Sequence, residues 1–272
     1  MLKTRVITAL ALLAGFLLIL FSNSILVIQL AAAVVFAAAA WESLRLFGSK
    51  QPILVAIVWM AAFCFLMFGG RAFNAIVLFG LCAAIWLIRL APSLAIGLPP
   101  LDGIGNRLLS GIYGLAILGC FVAIVALFKH SPLYLFSVMA IVWIADIGAY
   151  FSGKALGKHK LAPSISPGKT WEGVVGGWIA VLLFAAATTL LPFLSDTFAA
   201  VLRTKIGWPG LVLAMTVMVA ASVVGDLFES QLKRRAGVKD SSNLLPGHGG
   251  ILDRIDALIP TLPLAVLFDS LF

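Results

Sequence analysis

The chain has 272 residues, 62% of them hydrophobic and only 11% charged, with mean hydropathy +1.12 and a formal net charge of +8. That composition lies far outside the range of soluble domains and identifies a polytopic membrane protein. No segment has room to fold as a separate domain presenting a groove-sized basic surface, which excludes nucleic acid as a partner. The positive charge suits an anionic membrane surface and anionic small molecules instead.

Measured against the roughly 20 residues that cross a bilayer, the apolar runs predict spans near 6–22, 24–41, 52–69, 72–90, 108–128, 131–151, 172–193, 208–228 and 254–270. The expected architecture is all-α, with about nine transmembrane helices and cytoplasmic loops between them. Fifteen of the 19 Lys and Arg residues fall on the side of the N-terminus, against Arg71, Lys129, Arg203 and Lys205 on the other, which predicts a cytoplasmic N-terminus. Met1–Phe21 has the basic start and apolar run of a secretory leader, but the run is too long and no A-x-A-like site follows, so it reads as a span. Cys64, Cys82 and Cys120 all fall inside apolar runs and imply neither disulfide nor metal.

Residues 1–128 read as a scaffold of hydrophobic helices with short loops, a Gly97-Leu98-Pro99-Pro100 turn and a polar segment Asp102–Arg107. Gly103-Ile104-Gly105 is too short for a nucleotide fingerprint. Chemistry concentrates in residues 129–272, in two predicted cytoplasmic loops, Ser152–Thr170 and about Glu229–Asp253, and the helix ends beside them. Of the 11 acidic residues, only Asp196 and Asp269 fall on the outer side.

Asp146 lies inside an apolar run, where a carboxylate needs a partner, a metal or a proton. Asp146, Tyr150 and Gly153 recur at i, i+4 and i+7 and share a face, the glycine allowing close approach of a neighbour. The loop that follows carries Lys154, Lys158, His159 and Lys160, then Ser164, Ser166, Gly168, Lys169, Thr170 and Glu172. Hydroxyls, a lysine and free N–H groups ahead of a helix start make an anion-binding environment. Gly168-Lys169-Thr170 is not a Walker A tail, because Pro163 stands where that loop needs glycine and no strand is predicted before it.

Asp226, Glu229, Ser230 and Lys233 fall at i, i+3, i+4 and i+7, so one helical face presents two acids, a hydroxyl and an ammonium at the membrane edge. Asp253 and Asp256 pair at i and i+3 where the last span begins. Carboxylates converging from separate helix ends are what a hard cation such as Mg²⁺ needs, since substrate oxygens complete its shell. Between them, Leu245-Pro246-Gly247-His248-Gly249-Gly250 reads as an irregular loop whose glycines let backbone N–H groups approach a ligand. The stretch 230–256 packs five basic and three acidic residues and a histidine into 27 positions.

This block resembles the signature of the phosphatidate cytidylyltransferase (CDP-diacylglycerol synthase) family at thirteen positions: Ser230, Lys233, Arg234, Lys239, Asp240, Pro246, Gly247, His248, Gly249, Gly250, Asp253, Arg254 and Asp256. The segments around Asp146/Gly148/Tyr150 and from Ser166 to Gly173 are also similar to that family. The resemblance implies transfer of a cytidylyl group from CTP to phosphatidic acid with release of pyrophosphate, supported by Mg²⁺, and the density of carboxylates leaves room for a second divalent or monovalent cation. It implies Asp226 and Asp253 as leading metal ligands, with Asp256, Glu229 and Asp146 as second choices. Catalytic roles go to Asp226, Asp253, Lys233, Arg234, His248 and Asp146. Substrate-binding roles go to Ser166, Lys169, Thr170, Glu172, Ser230, Lys239, Asp240, Gly249, Gly250 and Arg254. It further implies a homodimer in a bacterial-type inner membrane. Two rivals stay open: a CTP-dependent polyprenol or phytol kinase, which transfers the γ-phosphoryl group, and an ion-coupled transporter.

Overall fold

The computed structural model describes residues 2–69 and 74–272; Arg71 and the start of the fourth expected span lie outside them. The chain folds into helices α1 (Leu2–Phe21), α2 (Ile25–Leu46), α3 (Pro52–Phe68), α4 (Ala75–Ile85), α5 (Ala91–Ile96), α6 (Ile104–His130) and α7 (Pro132–Leu156). Strands β1 (Lys160–Ala162) and β2 (Ser166–Thr170) come next, followed by α8 (Trp171–Leu190), α9 (Phe198–Arg235), α10 (Leu252–Ile255) and α11 (Leu258–Leu271). A π-helical turn, Trp86–Leu90, joins α4 to α5, whose first turn carries Pro92, a residue with no N–H for the regular ladder.

The all-α membrane architecture holds. Among the described residues six helices are long and apolar enough to cross a membrane: α2, the composite Ile76–Ile96, α6, α7, α8 and α9. Two more, Ile7–Phe21 and α3, are apolar but shorter. The expected ninth span is broken between Ile255 and Leu258, leaving α11 with 14 residues. Pro260 cannot donate to the Asp256 carbonyl, and that carbonyl lies against α9, where a side-chain carbon at Gly225 would come within 2.5 Å of it. α9 itself bends at Gly207 (φ 68°, ψ −176°), just before Pro209, so the expected span from 208 begins at this bend.

Both expected cytoplasmic loops are more ordered than their composition suggests. The first is an extension of α7 to Leu156 followed by an antiparallel hairpin that pairs Lys160 with Thr170 and Ala162 with Ser166. Gly168-Lys169-Thr170 therefore lies within a strand, where no strand was expected nearby. The second begins as helix: α9 runs through Glu229, Ser230 and Lys233 to Arg235 and ends at Gly237 (φ 70°), whose N–H bonds the Arg234 carbonyl while the Val238 N–H bonds that of Lys233.

α6 is the hub, with 67% of its apolar window buried against 28% for α8 and for Ile76–Ile96, whose outer faces are left to lipid. Tyr113 of α6 and Phe228 of α9 pack ring to ring at 4.9 Å, fixing α9 behind the polar residues it carries. α7 and α8 meet along a small-residue seam. A side-chain carbon at Gly177 would stand 2.5 Å from the Ala145 carbonyl, and one at Gly148 2.8 Å from Ala180. Gly153 faces Gly173 across the same seam, as its place on the α7 face predicts. At the opposite end of the molecule Asp196 bonds His130 and Ser131, and Asp269 pairs with Lys205 at 3.0 Å, so the two acids expected on the outer side lie away from the rest.

Candidate active site

The predicted α9 face exists and carries two ion-paired centres. Asp226 accepts Ser230 Oγ at 3.2 Å on one oxygen and pairs with Lys169 Nζ at 2.6 Å on the other. One turn further, Lys233 bridges Glu229, four residues before it, and Asp253 Oδ1 at 2.6 Å. Glu229 is fully buried, and among the described residues its Oε1 accepts no hydrogen bond.

Asp253 is held by the loop that leads into α10. Its Oδ2 accepts the Ser241 N–H at 2.8 Å, the Ser241 hydroxyl at 2.9 Å and the Gly250 N–H at 2.8 Å. Burial pushes this carboxyl up, but the Lys233 ammonium and the two backbone N–H groups outweigh it and hold Asp253 below the usual carboxylate range. Gly247 (φ 78°) and Gly249 (φ 81°) turn the Pro-Gly-His-Gly-Gly loop back on itself, with the Leu245 N–H bonding the Gly249 carbonyl at 2.8 Å. A side-chain carbon at Gly249 would meet Asp253 Oδ2 at 2.8 Å, so this glycine lets the loop close over the carboxylate. Among the described residues His248 Nδ1, a buried atom, has no hydrogen-bond partner.

The hairpin brings Lys169 over from the other side. Arg234 Nε donates to the Ile165 carbonyl at 3.3 Å and ties the hairpin turn to the end of α9. Thr170 Oγ1 caps α8 by accepting the Gly173 N–H at 3.1 Å, and Glu172 holds His159, Nδ1 to Oε1 at 2.6 Å. Both side chains are thus engaged in local structure, while Ser166 is half-buried in β2. Asp146 is exposed on α7, within electrostatic reach of Asp226 and Lys169. Asp256 joins the group through the close contact of its backbone with Gly225, next to Asp226. Lys239, Asp240 and Arg254 are exposed at its rim.

Five carboxylates, from Asp146, Asp226, Glu229, Asp253 and Asp256, therefore share one cluster with two ammonium groups, Lys169 and Lys233. That excess of hard oxygen donors fits a divalent cation. Among the described residues no three acidic, histidine or cysteine side chains already converge as a metal cage. Carboxylates that leave room for substrate oxygens suit Mg²⁺, which is usually held by one or two of them together with phosphates.

One residue of this region was not legible in the sequence. Glu42, near the end of α2 in the expected scaffold, is fully buried beneath the signature loop. It accepts four hydrogen bonds: Ser242 Oγ at 2.5 Å and the Ile251 N–H at 3.0 Å on Oε1, and Ser241 Oγ at 3.1 Å and the Leu252 N–H at 2.6 Å on Oε2. Its only sequence signal is a carboxylate at the end of an apolar run.

A sequence model described as the Cytidylyltransferase family matches residues 3–272. A phosphatidate cytidylyltransferase of Haemophilus influenzae is 38% identical over 97% of this chain and 96% of its own length. One of Pseudomonas aeruginosa is 40% identical over 97% and 95%, and one of Bacillus subtilis is 39% identical over 63% and 60%. A family match that runs along nearly the whole chain, with relatives 38% and 40% identical over 97% of it, places this protein in the cytidylyltransferase family.

Proposed function

We propose that this chain is a phosphatidate cytidylyltransferase, joining CTP and phosphatidic acid into CDP-diacylglycerol and pyrophosphate. The observation that carries the reading is the half-open Lys169–Asp226 pair, set beside the closed Lys233–Asp253 centre at the ends of membrane helices. A phosphate on a lipid can reach such a site without leaving the bilayer. Relatives that carry this name match the chain nearly end to end.

In the proposed reaction an oxygen of the lipid phosphate attacks the α-phosphorus of CTP. The new P–O bond forms as the bond from the α-phosphorus to the α,β-bridging oxygen breaks, and the electron pair leaves on pyrophosphate. No proton transfer is required of the protein at the reacting phosphorus, so positioning and charge neutralisation carry the catalysis. In this reading Lys169, paired with Asp226 at 2.6 Å, turns to a phosphate oxygen, and the exposed Arg234, Lys239 and Arg254 draw in the triphosphate. On the same reading the partly exposed His248 ring and the glycine backbone of its loop offer hydrogen bonds to the nucleotide. Mg²⁺, held by Asp226 and Asp253 with Asp256, Glu229 and Asp146 around them, would neutralise charge on the phosphates. We further read the cluster and the N-terminus as cytoplasmic, the membrane as a bacterial inner membrane and the working form as a homodimer.

The test is pyrophosphate release by the purified protein supplied with CTP, Mg²⁺ and phosphatidic acid. Release that needs both substrates supports the reading. Release of CDP without pyrophosphate points to a lipid kinase, and no turnover of either kind removes the enzyme reading.

A further inference from the structure

We infer that Glu42 is a positioning residue for cytidylyl transfer: a carboxylate of the N-terminal half that clamps the signature loop and, through Ser241, sets the orientation of Asp253. The inference rests on the functional reading above for its catalytic consequence, but the clamp itself is a matter of geometry.

Among the described residues Glu42 has no basic partner. All four of its hydrogen bonds come from a single stretch, Ser241 to Leu252, more than 190 residues away in sequence. Two come from the hydroxyls that open the loop and two from backbone N–H groups that close it, so one carboxylate ties the start of the loop to its end. A buried carboxylate is tolerated when its oxygens are saturated with hydrogen bonds, and removing those bonds leaves a costly orphan. Gly250 records the tightness of the fit. A side-chain carbon there would stand 2.4 Å from Glu42 Oε1 and 2.0 Å from Ser241 Oγ.

Ser241 links the clamp to the site. Its hydroxyl lies 3.1 Å from Glu42 Oε2 and 2.9 Å from Asp253 Oδ2, and its single proton serves two carboxylates. Its N–H also donates to Asp253 Oδ2, at 2.8 Å. A shift of the loop start therefore moves a donor that fixes Asp253 opposite Lys233. A misplacement of about 1 Å at a reacting centre costs on the order of 10²-fold in rate, and that is the effect the clamp prevents.

The experiment compares full-length wild type with Glu42→Gln, purified in detergent. Steady-state kinetics with CTP and phosphatidic acid are combined with amide hydrogen exchange measured without substrates. Gln has nearly the same volume but turns two donors toward donors. The expected result is a kcat lower by about 10²-fold, a KM for phosphatidic acid within about twofold of wild type, and exchange across 241–252 faster by about tenfold or more. Exchange in α6 and α7 should not change, and Glu42→Asp should recover part of kcat. Wild-type kcat in Glu42→Gln, or exchange raised equally in every helix, overturns the inference. If Glu42→Gln cannot be purified, Ser242→Ala removes one donor only; unchanged exchange across 241–252 in that variant overturns it too. Wild-type protein without cytidylyl transfer, in which Glu42→Gln still loosens only the loop, would sink the functional reading and leave the clamp standing.

Discussion

The two lysine centres of the site differ in how far water reaches them. The Lys169 and Asp226 side chains are 25% and 29% exposed, whereas Lys233 is 12% exposed and its partners Glu229 and Asp253 are at 0% and 4%. An ion pair open to water contributes little to stability, because solvent screens it and either partner can be hydrated. A buried one is different: breaking it strands a charge where nothing compensates it. Lys233 therefore holds α9 and the signature loop together, and the Lys169–Asp226 pair is the part proposed to exchange partners with an incoming phosphate.

The largest effect should come from breaking the closed centre. Lys233→Met leaves Glu229 and Asp253 buried and unpaired, and should cost about 3–5 kcal/mol in detergent unfolding while abolishing turnover. A variant that is inactive but as stable as wild type would show that Lys233 serves chemistry alone. Next comes the open pair, where Asp226→Asn should lower turnover by about 10²–10³-fold and change the unfolding midpoint by no more than the loss of a surface pair. A large loss of stability there would erase the distinction between the two centres.

The seam behind the open pair gives a smaller effect. Gly177→Val would drive a side chain into the Ala145 carbonyl of α7 and should cost about 1–3 kcal/mol by overpacking, shifting Asp146 and the hairpin with it. The smallest effect concerns pH. Asp253 is held below the usual carboxylate range, so its stabilisation is complete above about pH 3.9 and is lost as pH falls below that toward its native value. Between pH 7.5 and 5.5 the stability gap between wild type and Asp253→Asn should stay constant, and it should close only in stronger acid. A gap that narrows near pH 6 would mean that Asp253 is not held as an anion by Lys233 and the loop amides.

What the sequence made legible, and what it hid, divides along the same lines. Asp226, Glu229, Ser230 and Lys233 could be placed together because helical periodicity puts i, i+3, i+4 and i+7 on one face, and the helix does continue through them. The turns at Gly247 and Gly249 follow from residue type. The hairpin was hidden because its strands have three and five residues and the second contains Pro167 and Gly168, which read as loop. The break in the last span depends on a tertiary contact between Gly225 and the Asp256 backbone. Glu42 could not be assigned to the loop, since its partners lie 199 to 210 residues away and no local pattern marks it. Among the described residues Glu42 is a carboxylate by which the first half reaches the second.

The most direct measurement follows the phosphorus atoms themselves. Purified protein with Mg²⁺ and phosphatidic acid is given CTP labelled at either the α- or the γ-phosphate, and the lipid fraction is then counted. Cytidylyl transfer at this site predicts α-label in the lipid and γ-label in released pyrophosphate. γ-label in the lipid, or no label in it from either position, would contradict it.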